Sequence, residues 1–276
     1  MNILIDTDIG GDVDDALAVA LALCSPNIHI SGITLVYIDN TWRQGVITEL
    51  LDIFVRPAIP IVRGAEKPLI GHWAYSGTTW IPPNIADNTA AEFIIKQCDA
   101  DPQLILVPIG PLTNIAAAIS AAPRIAKNRK ITIMGGAPGQ SRAEWNIFCD
   151  PEAAAIVFSS GAVINLVGLN VTEQCQFTNE EVEAFANGNE KSKYLYQLMT
   201  KFISDYNYLP ILHDPLAMAS LINNDVLTFE PRNIAVEVSD IPTRGYIINT
   251  PSGADINIAT HVNVERFKQN LIKSFT

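Results

Sequence analysis

The chain has 276 residues, of which 48% are hydrophobic and 17% charged, a composition typical of a packed globular protein and not of a disordered one. Its formal net charge of -11 argues against a nucleic acid as partner, because phosphates require a basic surface. No apolar run approaches the roughly 20 residues that a membrane-spanning helix needs, so we expect no membrane partner.

The four cysteines, Cys24, Cys98, Cys149 and Cys175, show no paired spacing. Scattered cysteines are typical of reduced thiols and not of a disulfide framework or a zinc site. An apolar run opens the chain, without the basic and apolar regions of a secretory leader. The expected location is therefore cytoplasmic.

A buried strand, an aspartate-rich turn and an apolar helix are predicted at the start of the chain. Residues 2–5 form the strand-like run and residues 16–23 the helical one. Between them, residues 6–15 contain five aspartates and two glycines. Helix capping by Asp12 or Asp14 accounts for one or two of these acids. Crowded carboxylates repel one another unless a hard cation such as Mg²⁺ or Ca²⁺ binds them, which favours a metal or ligand site here.

Strand and helix patterns then alternate through the first part of the chain. This alternation predicts an α/β fold with an open, mainly parallel (mixed) central sheet flanked by helices. The later part is less regular, and the absence of repeats and linkers predicts a single domain over residues 1–276. Strands are predicted at residues 28–36, 60–62, 104–107 and 130–134, strand-like runs at 233–238 and 246–248, and helices ending near 54 and at 90–97, 115–122, 178–208 and 264–273.

Polar, glycine-rich stretches follow several of the predicted strands. Ligands bind beyond the carboxyl ends of strands in such sheets, so residues 6–15, 39–40, 109–114 and those from 135 onward are expected to meet in one crevice. Residues 71–84 form a loop whose length is typical of binding loops. His72 lies on this loop and is a candidate to reach over the site.

Two further motifs carry groups suited to sugar chemistry. Glu144 and Asn146, two apart in an extended segment, face the same side and suit the hydroxyls of a sugar or polyol, although Glu144 alone is equally well a surface acid. Asp150, followed by proline, is expected to cap a helix. Asp214 is a candidate metal ligand or helix cap. His213 is suited to proton transfer near neutral pH, although a lone histidine more often has a structural role.

Together these motifs resemble the nucleoside hydrolases of the inosine-uridine-preferring type, over residues 3 to about 220. Each motif alone is weak, but their order along the chain is specific. They are the aspartate-rich opening, Asn40, Gly64-x-x-Lys67-Pro68-Leu69, Val107-Pro108-x-Gly110-x-Leu112-Thr113-Asn114, Met134-Gly135-Gly136, Glu144-x-Asn146 with Asp150-Pro151-Glu152, and His213-Asp214-Pro215.

The resemblance implies a Rossmann-like nucleoside hydrolase fold and Ca²⁺-dependent cleavage of ribonucleosides to free base and ribose. Asp8 would take the proton of the attacking water and His213 would protonate the leaving base. Asp6 would support the cluster, and homodimers or homotetramers are expected. The implied Ca²⁺ ligands are Asp8, Asp15, the Ile109 carbonyl and Asp214, and the implied substrate contacts are Asp14, Asn40, Glu144, Asn146 and Asp214, with His72 above.

Three departures from the family pattern leave the base preference and the 5′ substituent open. The aspartate loop is two residues longer than usual, and Asp12 inside it has no assigned role. The loop over residues 136–144 is shorter than usual, with Gln140 as a weak substitute for the expected 5′-hydroxyl contact. Tyr206 and Tyr208 stand in place of the familiar base-binding pattern.

Other classes explain less of the sequence. An aspartate-nucleophile phosphatase would share the opening at residues 5–8 but leaves Glu144 and His213 unexplained. An EF-hand-like Ca²⁺ module fails because Leu17 stands where a bidentate glutamate is required. A catalytically silent nucleoside or ribose binder, or a hydrolase of a different N-riboside, remains as an alternative.

Overall fold

The computed structural model of the chain describes residues 1–70, 88–223 and 225–275. Within these ranges the strands form one nine-stranded sheet. They are β1 (Asn2–Thr7), β2 (His29–Leu35), β3 (Ile61–Arg63), β4 (Ile105–Pro108), β5 (Lys130–Met134), β6 (Val163–Val167), β7 (Leu227–Val236), β8 (Ile247–Asn249) and β9 (Ala254–Val262).

Helices cover both faces of this sheet. The helices described are α1 (Asp14–Cys24), α2 (Asn40–Ile53), α3 (Thr89–Ala100), α4 (Thr113–Ala121), α5 (Trp145–Cys149), α6 (Pro151–Phe158), α7 (Leu169–Thr172), α8 (Asn179–Glu183), α9 (Glu190–Tyr206), α10 (His213–Ile222) and α11 (Val264–Lys273). No helix in the described ranges is long and apolar enough to cross a membrane.

The strand order is β3-β2-β1-β4-β5-β6-β9-β7-β8. Every pair from β3 to β9 is parallel, whereas β7 runs antiparallel to both β9 and β8. The predicted open, mainly parallel (mixed) sheet flanked by helices is therefore confirmed. Strands β6 and β9 are missing from the sequence prediction. Polar and apolar residues alternate over residues 255–258 of β9, which joins the parallel part of the sheet to the antiparallel edge.

The central strand β1 shows why the sheet is buried on both faces. Ile3 and Ile5 pack into a core with α1, α2 and α9 to α11, whereas Leu4 packs into a second core with α3, α4 and α6. All three side chains are fully buried. A continuous apolar run is expected for a strand that lies between two helical layers.

The register brings the ends of three strands level with one another. Asp6 of β1 lies opposite Thr34 of β2 and Pro108 of β4. The Ile109 N–H donates to the Asp6 carbonyl at 2.8 Å, so the hydrogen bonding between β1 and the β4 segment continues one residue beyond the end of β4. The aspartate loop after β1 and the segment after β4 therefore leave the sheet side by side.

One predicted element differs in its extent. Residues 178–208 form two helices, α8 and α9, instead of one. Thr178 and Glu181 make a reciprocal capping box at the start of α8, and Asn189 caps α9 through the Ser192 N–H. Two separate start signals within the polar stretch explain the break.

Candidate active site

A cavity of about 590 Å³ opens at the carboxyl ends of β1, β4 and β5. This volume lies within the range of about 300–1,000 Å³ that small-molecule sites occupy. Three of the four polar stretches predicted to meet in one crevice contribute residues to its lining, whereas residues 39–40 do not. The predicted site residues that line the cavity are Asp8, Asp14, Asp15, Ile109, Glu144, Asn146, His213 and Asp214.

Three carboxylates meet at the bottom of this cavity. Asp14 and Asp15 begin α1, and Asp214 lies in the first turn of α10, which packs against α1. Each of the three offers a carboxylate oxygen, and these oxygens lie within 4.8 Å of one another. Asp14 also accepts the Asp214 N–H at 3.2 Å, and Asp15 accepts the Thr7 hydroxyl. The packing of two helices thus brings together residues that are far apart in sequence.

This carboxylate cluster suits a hard divalent cation. Burial raises the pKa of Asp14, Asp15 and Asp214 well above the usual range of a carboxyl, and the repulsion among these acids and Asp8 and Asp12 raises it further. Several carboxylate oxygens held together match the coordination that Ca²⁺ prefers, and the cation would remove the repulsion. The donor set therefore fits the predicted cofactor class.

The arrangement differs in detail from the implied ligand set. Asp14 belongs to the close carboxylate group, whereas Asp8 lines the same cavity outside it. The Ile109 carbonyl accepts the Asn146 Nδ2 at 2.9 Å. Because a carbonyl oxygen has two lone pairs, this bond leaves one for another partner.

Asp8 and Asp6 have different surroundings. Desolvation raises the pKa of Asp8 to about 6, while the charge of Arg43 lowers it. Asp6 is fully buried, and its Oδ1 accepts from Thr34 and, at 2.7 Å, from Asn114. Burial raises the pKa of Asp6 to about 7. Asp8 thus faces the cavity as a base would, and Asp6 ties the strand ends together beneath it.

Asp12, which the sequence leaves without a role, acts locally. Its Oδ1 accepts the Val13 N–H at 2.6 Å, in the turn that enters α1. Burial raises the pKa of Asp12, which also lines the cavity and adds its charge to the field around Asp14. Asp12 therefore stabilises the turn that enters α1.

Glu144 and Asn146 are fixed by backbone groups around the cavity. Glu144 caps α5, accepting N–H groups from Asn146 at 2.8 Å, Gly136 at 2.9 Å and Ile147 at 3.1 Å. Three backbone donors favour the charged carboxylate, although burial still raises the pKa of Glu144. Asn146 is 6% exposed. Both side chains are therefore held rigidly at the cavity wall.

His213 is held by a single hydroxyl. Its Nδ1 lies 2.7 Å from Thr172 Oγ1, and Thr172 is fully buried. If Nδ1 carried the proton, the Thr172 hydroxyl would lack an acceptor among the described residues, a costly arrangement when buried. Thr172 therefore donates and Nε2 carries the proton. Burial lowers the pKa of His213 to about 4, so the imidazole is neutral at pH 7.

Asn40, the first residue of α2, is held by the segment after β3. Asn40 does not line the cavity: its Nδ2 donates to the Gly64 carbonyl at 2.8 Å, and its N–H donates to Glu66. Its Oδ1 is buried without a hydrogen-bond partner among the described residues, and its contact with substrate stays a prediction. His72 lies outside the described residues. The predicted cap at Asp150 is confirmed by its bond with the Ala153 N–H at 3.1 Å.

Several cavity residues are not recognisable as such in the sequence. Tyr37 and Trp145 line it with ring centroids 6.4 Å apart, and Arg142 pairs with Glu173 at its rim. Arg43 also lines the cavity. Its position in the first turn of α2 is the one available signal, because the helix dipole disfavours a cation there.

The fold and the cavity define an α/β enzyme with an acidic site at the carboxyl edge of its sheet. Residues 3–269 match the family model described as inosine-uridine preferring nucleoside hydrolase, and the chain belongs to this family. It is a hydrolase that acts on the N-glycosidic bond of ribonucleosides, an activity of nucleoside catabolism.

Individual relatives agree with this assignment. The chain is 32% identical to probable uridine nucleosidase 1 of Oryza sativa subsp. japonica, over 87% of this chain and 82% of that protein. It is 34% identical to the pyrimidine-specific ribonucleoside hydrolase RihA of Salmonella paratyphi A, over 89% and 87%. The purine-preferring ribonucleoside hydrolase from Gardnerella vaginalis superposes with a TM-score of 0.84 at 30% identity, covering 99% and 98% of the two chains.

Proposed function

We propose that this protein hydrolyses ribonucleosides to free base and ribose with Ca²⁺ as its cofactor. The convergence of Asp14, Asp15 and Asp214 in the cavity carries this proposal. A Ca²⁺ ion held by these carboxylates would supply an electrophile that acidifies a water molecule. The relatives named for uridine, pyrimidine and purine nucleosides span both base classes, so the base preference is a question for experiment.

The protein's own groups account for the remaining chemistry. Asp8 accepts the proton of the attacking water, since its carboxylate lines the cavity and has a pKa of about 6. Glu144 and Asn146, which line the same cavity, hold the ribose hydroxyls. The carboxylates of Asp14 and Glu144 favour the positive charge that develops on the ribose ring as the base leaves.

His213 acts on the leaving base. A neutral imidazole with its proton on Nε2 is a hydrogen-bond donor, and it stabilises the charge that builds up on the departing base. We propose this donation in place of the full proton transfer that the family resemblance implies for His213. Because burial lowers the pKa of His213 to about 4, the neutral ring at pH 7 donates a hydrogen bond while the base departs as an anion. The surrounding water then supplies the proton that completes the free base.

The direct test incubates the purified protein and Ca²⁺ with a panel of purine and pyrimidine ribonucleosides and measures ribose release. Turnover of at least one nucleoside is expected, and Asp8→Ala should remove it. Binding of nucleosides without any turnover would favour the silent binder instead. Turnover by Asp8→Ala at the wild-type rate would exclude Asp8 as the base.

Thr172→Val is expected to lower kcat by about tenfold with little change in KM, because the variant no longer holds the His213 ring in its Nε2–H form. The loss should be largest for substrates with poor leaving groups. Thr48→Val, which removes an exposed helical hydroxyl, serves as the matched control. Equal losses in both variants, or no loss in Thr172→Val, would rule out the assigned tautomer.

A further inference from the structure

Arg43 is a buried cation at the wall of the aspartate cavity. It is 6% exposed and belongs to the first turn of α2. Its Nη1 donates to the Ile9 carbonyl at 2.8 Å and its Nε to the Ile38 carbonyl at 2.9 Å. Ile9 belongs to the aspartate loop, so the guanidinium ties the start of α2 to that loop.

This position is unfavourable for a cation on local grounds. The amino end of a helix disfavours positive charge, and burial removes the guanidinium from water. The ion pairs formed within the described ranges do not include Arg43. Its guanidinium carbon lies 5.4 Å from the Tyr37 ring centroid and 6.0 Å from that of Trp42, contacts that supply modest cation–π attraction.

The negative charge of the aspartate cluster offsets the unfavourable effects of burial and of the helix dipole on the Arg43 guanidinium. Arg43, Asp8 and Asp15 line the same cavity. The positive charge of Arg43 acts to lower the pKa of both carboxyls without an ion pair to either among the described residues. The Trp42 ring packs over Gly10 and holds the aspartate loop beside the Arg43 guanidinium. A Cβ at Gly10 would lie 2.5 Å from that ring. Arg43 is therefore a fixed positive charge facing the carboxylates that would hold a cation.

We propose that Arg43 is an internal counter-cation of the aspartate cluster, which stabilises the metal-free fold and weakens the affinity of the site for a divalent cation. The proposal rests on the metal site of the proposed function. A fixed positive charge repels an arriving divalent ion and partly replaces it when the ion is absent. Arg43 thus sets how tightly the metal is held, while the carboxylates supply the ligands.

Two variants separate the charge of Arg43 from its contacts. Arg43→Gln removes the charge, whereas Arg43→Lys keeps it, and both lose the two-carbonyl contact of the planar guanidinium. The probe is CaCl₂ alone, titrated calorimetrically into chelator-treated protein. Arg43→Gln should bind Ca²⁺ about tenfold more tightly than wild type. Arg43→Lys should stay within about threefold of wild type.

Thermal unfolding gives the second measurement. Arg43→Gln should unfold at a lower temperature than wild type without Ca²⁺ and show a larger stabilisation on adding it. If Arg43→Gln requires Ca²⁺ to fold, the release of Ca²⁺ to an excess of chelator should be about tenfold slower than from wild type.

The outcomes are distinguishable. Ca²⁺ binding by Arg43→Gln that equals or is weaker than that of wild type would overturn the counter-cation proposal and leave Arg43 as a tether. The proposed function would stand in that case. If wild type binds no Ca²⁺ at all, the metal site fails and this proposal fails with it.

Discussion

Asp214→Asn is expected to lower both Ca²⁺ affinity and kcat/KM by about 10³-fold or more, because it removes one of three converging carboxylates. Without Ca²⁺, the same change should raise the free energy of unfolding by about 1–2 kcal/mol. Asparagine keeps the shape of the side chain but ends its repulsion with Asp14 and Asp15. One substitution thus moves metal binding and metal-free stability in opposite directions.

The sign of the stability change depends on pH. The pKa of Asp214 is raised in the folded protein, so ionised Asp214 destabilises the fold above the pKa of the unfolded chain, about 4. The gain from Asp214→Asn should therefore be present at pH 7, shrink as the pH falls, and disappear about one pH unit below the unfolded pKa, at about pH 3, where the wild-type carboxyl is protonated in both states. Urea unfolding in chelator at the two pH values measures it.

Asp205→Asn is the matched control for this experiment. Asp205 pairs with Lys201 on the surface of α9 and has a side chain that is 49% exposed. The control should leave Ca²⁺ binding, activity and stability close to wild type. Unchanged Ca²⁺ affinity in Asp214→Asn would remove Asp214 from the metal site, and a loss of metal-free stability would show that repulsion does not dominate there.

The aspartate loop is recognisable from sequence because five acids at a strand-to-helix junction exceed what helix capping uses. The stretches after β4 and β5 are recognisable because polar and glycine-rich residues follow predicted strands there. The parallel order of the sheet follows from the alternation of strands and helices, and this order brings strand ends to one edge. Local sequence patterns at the strand ends therefore predict where the site lies, because the parallel sheet brings these ends together at one edge.

The residues that sequence reasoning misses act through contacts between distant segments. Arg43 reaches the Ile9 carbonyl 34 residues away, and Thr172 reaches His213 across 41 residues. Neither contact leaves a local pattern in the sequence. Asn40 is recognisable as part of a motif, and in the fold its Nδ2 donates to the Gly64 carbonyl while its buried Oδ1 has no hydrogen-bond partner among the described residues.

Arg129→Met is expected to lower the free energy of unfolding by about 3–5 kcal/mol, with little effect on the specific activity of the folded protein. Arg129 is 6% exposed and donates to the four backbone carbonyls of Cys98, Asp101, Leu104 and Ile125, at 2.8–3.0 Å. Methionine fills the space but leaves these buried acceptors unpaired. Urea unfolding monitored by fluorescence measures the loss.

The location of Arg129 explains why activity should survive. The residue precedes β5 and joins the carboxyl end of α3 to the segment before β4, at the edge of the sheet opposite the cavity. Arg129→Lys keeps the charge but presents fewer donors in a different geometry, so its loss should be intermediate. Arg124→Gln is the matched control, because Arg124 pairs with Asp99 on the surface with a side chain 62% exposed. Similar losses in Arg124→Gln and Arg129→Met would show that the four buried hydrogen bonds of Arg129 contribute no more to the free energy of unfolding than a surface ion pair does.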